Sequence, residues 1–229
     1  MAFYMIDLDV DERIHVHEKT KLLRLEDGFH SCLTEGPVSV LIDRKHKHLD
    51  FVWASLINKN SSGTFFLLSP KLWNLLEDIG ATGFLLRETS TKLVFEHEPS
   101  ERDYRQMVIT GWGGIAKGIH RVESYRGKHC YSLPDHPTDF FDLAQWDGSD
   151  IFDVWPIGIV VTERIANLVK SEKIRGLHLE KIDSISFTPV DEQVGFIGHP
   201  LRKFYPDERA REIGEPLGIY WWEEDKREA

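Results

Sequence analysis

Cysteine is almost absent from this chain: Cys32 and Cys130 are the two in 229 residues, far apart and outside any C-x-x-C spacing. That scarcity excludes a disulfide framework or a cysteine zinc site, and it fits a reduced compartment. An excess of basic residues is missing too. Lys and Arg total 28 against 38 Asp and Glu, a formal charge of −10, and such a surface repels phosphate backbones, so no nucleic-acid partner is expected. No apolar run is long enough to span a bilayer, so no membrane partner is expected either. The opening "MAFYMIDLDVDERI" carries acids where a secretory signal needs bases, and a cytoplasmic location is expected. Also missing are the strings that announce common chemistries: no G-x-S-x-G elbow, no H-E-x-x-H and no G-x-x-x-x-G-K-[ST] loop.

What is present suffices for a folded core. Hydrophobic residues make up 41%, with 7 Trp and 13 Phe, enough for one large core or two modest ones without a staple. The segment "SPKLWNLLEDIGATG" (69–83) contains a helix with its start and stop. Ser69 is the N-cap and Pro70 takes the first helical position, where its missing N–H costs nothing. Leu72, Leu75, Leu76 and Ile79 share one face, and Gly80 ends the helix. "TFFLL" before it and "GFLLRE" after it read as strands.

Residues 162–176, "TERIANLVKSEKIRG", align with this segment without a gap, 93 positions on. Thr162 is the N-cap, and Ile165, Leu168 and Val169 form the apolar face. "GIVV" and "LHLEKI" are the flanking strands. Asn74, Leu75, Gly83 and Leu86 recur as Asn167, Leu168, Gly176 and Leu179. Internal duplication and a shared helix grammar both produce such a match. Either way the expected class is α+β: two similar strand–helix–strand halves with small mixed sheets, packed together. The halves are 1–95 and 96–229, parted by the polar segment 96–106. Elsewhere "FYMIDLDV" and "RIHVHEKTKLLRL" alternate as half-buried strands, "VSVLI" (38–42) reads as a buried strand, and "HLDFVWASLI" (48–57) fits a strand or a short helix. The proline-bearing tail after 189 reads as an irregular wrap with one helical turn near "DERAREIG".

Few residue groups suggest chemistry. "GWGGIA" (111–116) fits G-x-G-x-x-A, but the residues after it make a poor helix, so a glycine turn is expected rather than a cofactor loop. His15 with His17, and His46 with His48, have the i, i+2 spacing of a strand chelate but lack a third ligand, and they read as solvated or structural. Cys130 follows His129, yet strand neighbours point to opposite faces and would not pair. His136, Asp139 and Asp142 in "HPTDFFD" offer the residue types of a hydrolase, or of a loop leading into an element. No cofactor and no metal are expected.

The stretch 140–169 is the richest. Asp147, Asp150 and Asp153 alternate with Trp146, Ile151, Phe152 and Trp155. Aromatic anchors beside carboxylates suit a protein-binding edge, while "WDGSD" equally suits a polar turn between core strands. Acids gather again in "WWEEDKREA" (221–229), where Glu223 and Glu224 could meet a basic partner.

Two stretches carry a resemblance. "GTFFLLSPKLWNLLEDIGATGFLL" and "DFFDLAQWDGSDIFDVWPIGIVVTERIANLVKSEKIRGLHLEKI", spanning about 63–90 and 138–182, resemble immunity proteins of bacterial polymorphic toxin systems, in particular the double-CXXCG family and its relatives. The two CXXCG motifs are absent here, so the resemblance implies no metal. What it implies is a non-enzymatic cytoplasmic protein that binds a cognate toxin domain and occludes its active site. A toxin with a basic cleft would meet the acids of 146–153 or 221–229. The alternatives are a small hydrolase using the His136/Asp139 loop and a regulatory binding module unrelated to toxins.

Overall fold

Ser69 and Thr162, the two caps, anchor the architecture. The computed structural model describes residues 1–7, 14–16, 38–42, 48–57, 62–93, 103–116, 120–122, 130–132, 142–155, 158–182, 208, 211–212 and 215. The first half of the chain contributes β1 (Phe3–Asp7), β2 (Ile14–Val16), β3 (Val38–Ile42), β4 (Phe51–Ile57), β5 (Ser62–Leu68), α1 (Pro70–Asp78) and β6 (Phe84–Leu93). The second contributes β7 (Arg105–Ile109), β8 (Gly111–Ile115), β9 (His120–Val122), β10 (Cys130–Ser132), β11 (Ile151–Trp155), β12 (Gly158–Thr162), α2 (Glu163–Ser171) and β13 (His178–Lys181). The fold is α+β, as the sequence predicts. The segment 48–57, ambiguous in sequence, resolves as β4, because Phe51–Ile57 pairs along its whole length with β5.

Both helices are cut by their sequence. Ser69 Oγ accepts the Leu72 N–H at 3.4 Å, and Leu72 and Leu76 are buried one turn apart. At the far end Gly80 sits at φ +63°, and the Ala81 N–H reaches the Leu76 carbonyl at 2.9 Å, a Schellman ending. Helix α2 ends in the same way, with the Ile174 N–H on the Val169 carbonyl at 3.0 Å. There the left-handed position is held by Lys173, at φ +52°.

Two sheets carry these helices. One is a closed barrel in the order β2-β3-β6-β7-β5-β4, and the other is a five-stranded mixed sheet in the order β13-β1-β12-β11-β8. A separate hairpin joins β9 to β10. In the barrel, β5 and β6 flank β7 and both run antiparallel to it. In the open sheet, β12 and β13 flank β1 in the same sense. Each helix thus crosses over one inserted strand. The inserted strands are exchanged: β1 lies within 1–95 yet pairs with strands of the second half, and β7 lies within 96–229 yet pairs with strands of the first.

The registers repeat as well. Arg105 stands opposite Leu68 and Glu88, and Gln106 opposite Leu67 and Arg87. Tyr4 stands opposite Val161 and Lys181, and Met5 opposite Val160 and Glu180, which are the same positions moved on by 93 residues. The outer neighbours agree too, with Phe51 opposite Leu68 and Ile151 opposite Val161.

Among the described residues one apolar cluster draws on both halves. It draws Ile6, Phe51, Phe66, Leu68, Leu72 and Leu76 together with Met107, Ile151, Ile159, Val161, Ile165 and Val169. Phe51 and Phe66 stack with centroids 5.8 Å apart. Since equivalent positions of both halves meet in one core, neither half closes its own.

Candidate partner-binding loop

Residues 142–150 run from Asp142 into β11 and hold the acids and aromatics singled out in sequence. Asp142 begins the loop with an Asx turn, its Oδ1 accepting the Ala144 N–H at 3.1 Å. Gln145 then binds β8 at both poles of one residue: Oε1 accepts the Ile115 N–H at 2.9 Å, and Nε2 donates to the Ile115 carbonyl at 3.4 Å. Trp146 turns inward, edge-on to Phe3 at 5.3 Å and tilted against Phe152 at 5.6 Å, and its Nε1 donates to the Ser149 carbonyl at 2.9 Å.

Asp147 fastens the tip. Its Oδ2 accepts the Trp112 N–H at 2.8 Å while its own N–H donates to the Trp112 carbonyl at 3.0 Å. Its Oδ1 accepts both the N–H and the hydroxyl of Ser149. Gly148, at φ +88° with open space around it, makes the turn.

The glycines of "GWGGIA" serve this loop. They lie on buried β8, where a Cβ on Gly111 would collide with Ser149 and the Ile151 carbonyl. A Cβ on Gly113 would strike the Phe152 ring, and one on Gly114, at φ +95°, the Gln145 side chain. In place of the glycine turn expected from sequence there is a strand, kept bare so that the loop can lie on it.

The three acids separate into different roles. Asp150 works inside the fold: Oδ1 accepts the Thr162 hydroxyl at 2.9 Å, and Oδ2 accepts the Thr82 N–H at 3.1 Å. Arg164 approaches the same carboxylate at 3.5 Å. The counterpart in the first half is Asp50, whose Oδ1 accepts the Ser69 hydroxyl at 3.0 Å and whose Oδ2 accepts the Arg175 N–H at 3.2 Å. Asp153 is 4% exposed, in register with Trp112 on one side and Ile159 on the other. The alternation predicts one acidic edge; the geometry leaves only Asp147 on the surface, with Asp150 partly covered and Asp153 buried.

Trp155 ends β11 opposite Ile115, and its side chain lies outside the described residues. Glu223 and Glu224 lie outside them as well, as do His136 and Asp139 of the alternative hydrolase loop.

Sequence reading passes over Leu143, which is 61% exposed on the same short loop as Trp146 and Asp147. The available signal was an apolar residue placed in a turn that needs none. The exposed residues of the loop are Leu143, Ala144, Asp147 and Gly148, on a backbone held by side-chain hydrogen bonds. A backbone braced in this way has little conformational freedom left to lose.

Among the described residues no helix is long and apolar enough to cross a membrane, and no group of three His, Cys, Asp or Glu is gathered as a metal-ligand set. Compared with known proteins, the chain matches no family model and no curated sequence.

Proposed function

We propose that this chain is an immunity-type protein that binds a cognate toxin domain in the cytoplasm of the producing cell and blocks its active site, without catalysing a reaction. The observation that carries the reading is the braced loop 142–149, on which Leu143 and Asp147 are both exposed. An apolar anchor in a fixed conformation contributes contact energy, and the charge of −10 favours approach to a basic cleft. The resemblance of 63–90 and 138–182 to immunity proteins suggests the class of partner. Glu223 and Glu224 are the second acidic group that could face the toxin.

The test is co-expression with the small domain encoded by the adjacent reading frame. A binder restores growth and co-elutes with the toxin as a one-to-one complex. The pair Leu143→Arg and Ala144→Arg abolishes both while leaving the unfolding temperature in place. Growth restored by amounts of this chain far below the toxin's would show turnover and overturn the reading in favour of an enzyme. An unchanged complex with the double variant would remove the loop from the interface.

A further inference from the structure

We infer that the chain is a dimer made covalent: residues 1–95 and 96–229 each contain one copy of a shared unit, each completed by the other's first strand, and they hold together without the peptide link between them. The surface involved is a strand-wide slot in each sheet. In the open sheet it lies between β12 and β13 and is filled by β1; in the barrel it lies between β5 and β6 and is filled by β7.

Three independent observations carry this. The first is register, already given: the partners of β7, moved on by 93 residues, are the partners of β1, with Arg105 and Gln106 standing where Tyr4 and Met5 stand, 101 positions apart. Convergent helix grammar places caps and apolar faces, which are local, but it does not place a strand from the other half in the same slot in the same register.

The second is a pair of reciprocal latches. Asp50 binds the cap of α1 and reaches across to the Arg175 N–H, and Asp150 binds the cap of α2 and reaches across to the Thr82 N–H. Arg175 lies 93 residues after Thr82. The next residue is glycine in both cases, at φ +91° for Gly83 and +84° for Gly176. An added Cβ there would collide with the carbonyls of Ile151 and Phe51, which are themselves equivalent.

The third is the helix pair. Lys71 near the start of α1 donates to the Glu172 carbonyl at the end of α2 at 2.6 Å, and Arg164 near the start of α2 donates to the Ile79 carbonyl at the end of α1 at 2.5 Å. Each cation satisfies a carbonyl that the partner helix leaves open at its negative end. The Asp50–Arg175, Asp150–Thr82, Lys71–Glu172 and Arg164–Ile79 contacts all cross between the halves, and each has its mirror.

An isolated half therefore lacks an internal strand of its sheet, while its own first strand has no slot to enter. Such a segment gains its fold from the other copy, by strand addition.

The experiment places a site for a sequence-specific protease across 96–100 in the full chain and cuts the folded protein. The two fragments are expected to co-elute at the mass of the uncut chain with unchanged near-UV circular dichroism, and to unfold together at a temperature that rises with concentration. In parallel, residues 1–95 and 96–229 are co-expressed with a tag on one alone, and one-to-one recovery is expected. Fragments that separate, or either segment recovered alone as a folded monomer, would overturn the inference. Hydrogen exchange on the intact chain gives a second reading: Met5→Pro should raise exchange in 158–162 and 178–181 of the other half by at least tenfold before it does so in 62–68. The reverse order would contradict the exchange of strands.

Discussion

Replacing Asp50 or Asp150 with alanine separates the latches energetically. Asp50 is 4% exposed, and its donors include the Ser69 hydroxyl, on a residue 1% exposed, and the Arg175 N–H. Hydrogen bonds to a charged group contribute about 1.5–3 kcal/mol, and a buried donor left unpaired costs about 1–3 kcal/mol. Water does not readily reach Ser69, so Asp50→Ala is expected to cost about 3–4 kcal/mol.

Asp150 has a side chain 13% exposed, and Thr82, one of its donors, is on the surface where water replaces the lost bond. Its Arg164 partner is half exposed, so that ion pair adds little. The main loss is the bond to the Thr162 hydroxyl, on a residue 5% exposed, and Asp150→Ala is expected to cost about 2 kcal/mol. In a chain of this length each kcal/mol moves the midpoint by about 2–4 °C, so the two variants should fall by about 6–16 °C and 4–8 °C. Urea unfolding followed by circular dichroism gives both free energies. A cost below about 0.5 kcal/mol for either, or a larger loss for Asp150 than for Asp50, would refute the reasoning from donor burial.

Further predictions address other joints. Lys173→Gly removes a side chain from the left-handed position that Gly80 fills in α1, and it should stabilise the chain by about 1 kcal/mol in the same urea assay. Gly83→Ala and Gly176→Ala combine a positive φ with a backbone collision, so each should lower the thermal midpoint by at least about 6 °C, checked by calorimetry. Trp146→Ala removes the ring packed on Phe3 and Phe152 and the bond to the Ser149 carbonyl. It should cost about 2–3 kcal/mol and speed amide exchange across 145–149, read by mass spectrometry.

The helices were legible because their signals are local. Ser69, Pro70, the Leu72–Leu76 spacing and Gly80 lie within twelve consecutive residues, 69–80, and the match to 162–176 follows from the same grammar. The strand exchange was not legible. β1 and β12 pair across about 157 positions, and nothing in "FYMID" names its partner. The latch acids were hidden for a related reason: Asp50 and Asp150 are 100 positions apart while the helices are 93 apart, so a gap-free alignment of the helices misses them.

Around the loop, Asp150 and Asp153 look like surface acids in a string, because burial depends on which strand lies opposite. Leu143 looks incidental for the same reason. The glycines of β8 match a cofactor pattern by residue type alone; the side chains that require them to be bare, Gln145, Ser149 and Phe152, follow more than thirty residues later.

The central functional claim is that the braced loop delivers Leu143 to a toxin domain. Its most direct test is the dissociation constant of the purified complex, measured by calorimetry for the wild-type chain and for Leu143→Arg with Ala144→Arg. The prediction is a one-to-one complex weakened at least 100-fold by the two substitutions, with the unfolding midpoint unchanged within about 2 °C. Equal affinity for both proteins would contradict it.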